Sequence, residues 1–157
     1  MQGSLTTISI IIPLYNEEDN IEPLLDELSS VLSEICTPKK QSYEVILVND
    51  GSNDKTSENL KKLCPNEDNW QTIDLSKNRG QTQAIMAGID HSCGQIIVPM
   101  DGDLQNDPYD IKKLLEAIDE GYEVASGWRK NRKDVFWTKI LPSRIANWLI
   151  SWISGVR

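Results

Sequence analysis

A single histidine, three scattered cysteines and one phenylalanine leave this chain without the means for several common chemistries. His91 stands alone, so a histidine metal site or a Ser-His-Asp triad is not expected, and a surface or core-edge place suits it better. Cys36, Cys64 and Cys93 contain no Cys-x-x-Cys pair. That pattern argues against a zinc site or a disulfide framework and for a reducing compartment. No apolar run approaches the roughly 18 residues a membrane span needs, and the opening residues lack the pattern of a secretory signal. No Gly-x-Gly-x-x-Gly follows the first apolar run, which removes a Rossmann dehydrogenase, and no Gly-x-x-x-x-Gly-Lys is present, which removes a P-loop enzyme.

The 157 residues, 39% hydrophobic and 25% charged, suffice for one globular domain with a real core. The net charge of −8 hides an asymmetry. Residues 1–128 carry 9 Lys and Arg against 23 Asp and Glu, whereas residues 129–157 carry 7 Lys and Arg against Asp134 alone. The body should repel polyanions, so nucleic-acid binding is not expected of it. The basic tail should attract an anionic partner or surface. Two regions follow: a core over 1–128 and a basic, Trp-rich segment over 129–157.

The core reads as alternating strands and helices. Thr7 to Pro13 is a β-branched run, the pattern of a strand buried on both faces. Glu17 to Ile35 has helical periodicity, and Pro38 to Ser42 breaks the chain. Tyr43 to Val48 predicts a second strand, Asp54 to Leu63 a helix and Trp70 to Leu75 a third strand. Gln81 to His91 predicts a small-residue helix and Gln95 to Pro99 a fourth strand. Asp107 as N-cap and Pro108 at the first position start a helix running to about Glu120. Glu123 to Ser126 is expected to be a fifth strand. This order predicts an α/β, Rossmann-like nucleotide-binding fold: a mostly parallel sheet with helices on both faces.

In such a sheet the strands' carboxyl ends share one crevice. Pro13-Leu14-Tyr15-Asn16-Glu17, Asn49-Asp50-Gly51-Ser52 and Asp101-Gly102-Asp103 all fall there. An Asp-x-Asp at a strand end can hold a hard divalent cation and leave positions open for phosphate oxygens. Its plainer reading is an acidic loop that caps the next helix. Tyr15 could stack on a base or be a surface aromatic. Asp50 could accept hydrogen bonds from a base or ribose, or cap a helix. A calcium loop opening at Asp101 fails at its twelfth position, Lys112, where a Glu is required. An aspartyl phosphatase would carry its Asp-x-Asp after the first strand.

Five segments, taken together, resemble the family 2 glycosyltransferases of the GT-A fold. They are IIPLYNEEDNI (11–21), VILVNDGSNDKT (45–56), LSKNRGQTQAIMAGI (75–89), VPMDGDLQNDP (98–108) and SGWRKNR (126–132). The likeness is greatest to the polyprenyl-phosphate branch, the dolichyl-phosphate mannose synthase and bactoprenol glucosyltransferase type. The resemblance implies that Pro13, Tyr15, Glu17, Asp50 and Gly102 contact the nucleotide sugar, a UDP- or GDP-sugar. It implies that Asp101 and Asp103 manage the diphosphate and a Mg²⁺ or Mn²⁺ ion, with Gln105 as a further metal ligand. Lys77 or Arg79 is a weaker candidate for a phosphate or base contact. Arg129, Lys139 and Ser143 match the positions that receive the lipid phosphate in this branch.

The reaction so implied moves a sugar onto a polyprenyl phosphate with inversion. The acceptor is already an anion, so no general base is called for. Residues 135–153 place Trp137, Leu141, Trp148 and Trp152 on one helical stripe. Such a stripe lies at a membrane interface or packs on the rest of the protein. The resemblance further implies that the acceptor half continues beyond residue 157, with the whole protein at the cytoplasmic face of a membrane. Residues 1–157 alone are not expected to be a complete enzyme. The alternatives are a family member with a sugar-hydroxyl acceptor, or an incomplete nucleotide-sugar-binding or membrane-scaffolding module.

Overall fold

The computed structural model describes residues 7–39 and 41–127. Four strands, β1 (Thr7–Leu14), β2 (Ser42–Asn49), β3 (Trp70–Asp74) and β4 (Ile96–Pro99), form one parallel sheet in the order β3-β2-β1-β4. Four helices alternate with them: α1 (Ile21–Lys39), α2 (Thr56–Leu63), α3 (Gln81–His91) and α4 (Asp110–Asp119). The chain divides into units Met1–Ala125 and Ser126–Arg157, and the description below concerns the first.

The β1 run buries both faces, as its β-branched composition demands. Ile8, Ile10, Ile12 and Leu14 point to one side, where they pack with Leu24, Leu28 and Leu32 of α1 and with Ile111 and Leu115 of α4. Ile11 points to the other side and meets Ile46, Val48 and Ala84 beneath α3. Burying each such aliphatic side chain contributes about 1.5–3 kcal/mol. Helices therefore cover both faces, as expected from the sequence.

The thinness of α3 has a packing cause. A Cβ built at Gly88 would collide with Cγ2 of Ile11, itself fully buried and unable to move aside. Gly88→Val is expected to lift α3 from the sheet and cost about 1–3 kcal/mol by overpacking. A urea midpoint equal to the native one would contradict that contact.

Several element ends differ from the sequence reading, each for a local reason. Helix α1 begins at Ile21, not Glu17: Glu17 to Asn20 form a tight turn closed by the Asn20 N–H on the Glu17 carbonyl at 2.9 Å, with the Glu17 and Glu18 N–H groups donating to Thr56 Oγ1 and Asp54 Oδ2 at 2.9 and 3.1 Å. It runs on to Lys39 through Pro38, which a last turn tolerates, and Gln41 N–H closes it on the Cys36 carbonyl at 3.1 Å. Helix α2 begins at Thr56 rather than Asp54, since Asp54 Oδ1 accepts the Thr56 N–H at 2.9 Å and acts as the cap. Helix α4 begins at Asp110, after a turn in which Asp107 Oδ1 accepts the Tyr109 N–H at 2.9 Å. Asp107 thus caps the turn ahead of the helix.

The expected fifth strand over Glu123–Ser126 is not formed among the described residues. A strand exists through its ladder, and this stretch has no neighbour to pair with among the described residues. Val124 is 83% exposed. No described helix is long and apolar enough to cross a membrane, and no disulfide links the cysteines. His91 is exposed, its Nδ1 2.8 Å from the Ala87 carbonyl.

Candidate active site

The carboxyl ends of β1, β2 and β4 open into one cleft of about 370 Å³. Its lining includes Pro13, Tyr15, Glu17, Asp50, Asp101, Gly102 and Asp103, the residues singled out for the donor. Tyr15 is 42% exposed and lines the cleft. Asn78, Gly80 and Gln81 also line the cleft and were not singled out from the sequence.

Asp50 is 3% exposed and already engaged. Its Oδ1 accepts the Arg79 N–H at 2.7 Å and its Oδ2 the Gly80 N–H at 2.8 Å. It therefore positions the β3–α3 loop, rather than capping a helix, and each oxygen retains a second lone pair toward the cleft. Arg79 contributes here through its backbone. Lys77 lies on a second, polar cleft of about 650 Å³ beside β2 and β3, along with Asn49, Ser57 and Asp74. Gly51, at φ +64, lets the two loops touch: a Cβ there would strike the backbone of Lys77 and Asn78.

The β1 and β2 loops are sewn together. Asn16 N–H donates to Ser52 Oγ at 3.0 Å, and Asn53 N–H donates to Asn16 Oδ1 at 2.9 Å. Lys55 N–H donates to Glu18 Oε2 at 2.8 Å, and Asn59 Nδ2 donates to the Glu18 carbonyl at 2.9 Å. Asn16 takes φ +55, which its short amide side chain tolerates. Leu104, at φ +57, has no such excuse and stores roughly 1–2 kcal/mol of strain next to Asp103.

Asp101 and Asp103 stand on the β4 lip with Gly102 buried between them. A Cβ at Gly102 would collide with Leu14 Cδ2, so the lip lies directly on β1. Asp101 Oδ1 accepts a short hydrogen bond from Gln81 Nε2. Asp103 Oδ1 accepts the Gln105 N–H at 3.1 Å. Each carboxylate keeps its Oδ2 without a protein partner among the described residues. Two hard oxygen donors on one lip fit a divalent cation that takes its remaining ligands from phosphate and water. Among the described residues no cluster of three or more His, Cys, Asp or Glu side chains is arranged to enclose an ion. Gln105 is not among the residues lining the cleft. Arg129, Lys139, Ser143 and the Trp-bearing stripe lie outside the described residues.

Two carboxylates, Asp54 in the loop before α2 and Asp74 at the end of β3, have lowered pKa values. Burial works to raise the pKa of Asp54, but hydrogen bonds from the Thr56 side chain and backbone and from the Glu18 backbone outweigh it, so the net value is lowered. Asp74 behaves alike: burial opposes, while hydrogen bonds from Asn49, Lys61 and Ser57 and the charge of Lys61 hold its pKa down. A depressed folded-state value stabilises the protein above the unfolded value of about 3.9 and is lost as pH falls through the folded one. Melting temperature should therefore drop below about pH 4. Asp54→Asn should flatten that drop, and an unaltered pH profile in the variant would contradict the assignment.

Residues 9–156 match the Glycosyl transferase family 2 domain. The chain belongs to glycosyltransferase family 2. It is 40% identical over 152 residues to a dodecaprenyl-phosphate galacturonate synthase of Rhizobium johnstonii, covering 96% of this chain and 44% of that protein. It is 37% identical over 149 residues to an undecaprenyl-phosphate 4-deoxy-4-formamido-L-arabinose transferase of Edwardsiella ictaluri, covering 94% of this chain and 44% of that one. The family 2 chain thus spans less than half the length of these relatives. Among solved structures it is similar to TarS of S. aureus, with a TM-score of 0.55 and 28% identity over 73% of this chain and 32% of that one. The mannosyltransferase PcManGT of Pyrobaculum calidifontis, solved with GDP-Man and Mn²⁺, shares the fold at a TM-score of 0.55 and 22% identity, over 73% of this chain and 32% of that one.

Proposed function

We propose that this family 2 chain is the donor-binding half of an inverting, metal-dependent transferase that moves a sugar from a UDP- or GDP-sugar to a polyprenyl phosphate. The observation that carries the reading is the cleft itself, where two carboxylates with unclaimed oxygens face Tyr15 and Asp50 across one sheet edge. The relatives named for dodecaprenyl- and undecaprenyl-phosphate chemistry support the acceptor class.

In this reading Tyr15 stacks on the base, while Asp50 fixes the β3–α3 loop and keeps lone pairs for the nucleoside. Asp101 and Asp103 would hold a Mg²⁺ or Mn²⁺ ion, and Gln105, which does not line the cleft, would have to turn toward it to serve as a further ligand. Such an ion, when bound, neutralises the charge growing on the departing nucleoside diphosphate. The acceptor's phosphate oxygen forms the new bond to the anomeric carbon from the opposite face. The old carbon–oxygen bond breaks with its electron pair leaving on the diphosphate, so the configuration inverts. No proton is removed from the acceptor, which fits a cleft whose lining holds no histidine. Arg129, Lys139 and Ser143 receive the lipid phosphate, and the basic, Trp-rich segment lies at the cytoplasmic face of a membrane.

The test is transfer by the full-length protein from labelled UDP- and GDP-sugars to a polyprenyl phosphate, read as label in the organic phase. A lipid-linked product that requires added Mg²⁺ or Mn²⁺ is expected. Label appearing only on soluble sugar acceptors would refute the acceptor assignment.

A further inference from the structure

Resting on the metal-dependent reading above, we infer that Gln81 is a positioning residue that fixes the Asp101 carboxylate for the divalent cation. Gln81 is the first residue of α3, and its Nε2 donates to Asp101 Oδ1. Only the amide nitrogen can donate to a carboxylate, so the bond fixes the orientation of the Gln81 side chain as well. With Oδ1 engaged, rotation of the Asp101 carboxylate is restricted, and Oδ2 has no protein partner among the described residues. An outer partner that orients a metal-binding carboxylate in this way is a general device for raising affinity.

The position of Gln81 is itself set from the other side of the cleft. Gly80 adopts φ +89, and its N–H is held by Asp50 Oδ2 at 2.8 Å and Asn78 Oδ1 at 3.1 Å. That turn aims the start of α3 at the β4 lip. Asp50, Gly80, Gln81 and Asp101 therefore form one hydrogen-bonded line from the end of β2 to the end of β4. Gln81 is exposed, so its conservation of volume matters little and its donor matters most.

The experiment uses the full-length protein and Mn²⁺ as the probe. The paramagnetic resonance signal of the free ion gives Mn²⁺ affinity in saturating UDP or GDP. Calorimetry without metal gives nucleotide affinity alone. Gln81→Ala and the similarly long, donorless Gln81→Met are each expected to weaken Mn²⁺ binding about tenfold. Metal-free nucleotide affinity should stay within about twofold of native, because the nucleoside side of the cleft keeps its groups. Native Mn²⁺ affinity in both variants overturns the positioning role. Native affinity in Gln81→Met alone also overturns it, since bulk rather than the donor would then be what counts. Asp103→Ala, titrated alongside, separates this from the reading beneath it: if that variant also binds Mn²⁺ as the native protein does, the metal site itself is misassigned.

Discussion

On the proposed function, Asp103→Ala is expected to lower sugar transfer by the full-length protein about a thousandfold or more, with the fold intact. The side chain is on an exposed lip and makes one hydrogen bond, to the Gln105 N–H at 3.1 Å. Its removal leaves no buried group orphaned, so stability should change little. The loss is one of charge. A diphosphate leaving group gains negative charge as the glycosidic bond breaks, and carboxylates that recruit a counter-ion for it, as proposed for Asp101 and Asp103, would act on that step. Each 1.36 kcal/mol of lost transition-state stabilisation is tenfold in rate, so losing about 4 kcal/mol gives the stated factor. The kinetic check is kcat at saturating donor and metal, beside a melting curve. A variant retaining a tenth of native kcat would show that Asp103 is not at the reacting centre.

Gly51→Ala is the second large effect, and it acts on both stability and binding. At φ +64 an alanine is strained by roughly 1–2 kcal/mol. Its Cβ must also displace the backbone of Lys77 and Asn78, which cannot rotate away as a side chain could. That displacement pulls Arg79 and Gly80 from Asp50, a carboxylate only 3% exposed. Leaving it short of partners costs about 1–3 kcal/mol more. The sum, roughly 2–5 kcal/mol, is a large part of a domain's stability. Gly80→Ala is the natural comparison: φ is also positive, but nothing lies within 4 Å of the added Cβ. At φ +89 and ψ 156, a region almost confined to glycine, it should cost the backbone strain alone, about 1–3 kcal/mol. Urea denaturation of the two variants checks the difference, and equal losses would contradict the loop contact.

Much of this was legible because the strongest signals are periodic or punctuated. The β1 and β2 runs announce buried parallel strands, and α3 spans Gln81–His91 as its small-residue pattern predicts. Tyr15, Asp50, Asp101 and Asp103 were legible because strand ends in a parallel sheet meet at one edge. What escaped the sequence depends on partners distant in the chain. The turn ahead of α1 is tied down by Thr56 and Asp54, 39 and 36 residues away from the N–H groups they take. The bond from Gln81 to Asp101 crosses 20 residues, and no local sequence pattern signals it. The stretch after Gly121 carries strand-forming residues yet has no ladder, because propensity does not supply a neighbour. The positive φ of Leu104 had no composition signal, since leucine there is unfavourable.

The central claim is that the cleft binds a nucleoside diphosphate through a cation held by Asp101 and Asp103. Isothermal titration of UDP and GDP into the protein, with and without Mn²⁺, tests it most directly. The account predicts that one nucleotide binds at least about tenfold more tightly with Mn²⁺ present, and that Asp101→Ala and Asp103→Ala each abolish the difference. Equal affinity with and without the metal, unchanged in both variants, would contradict it.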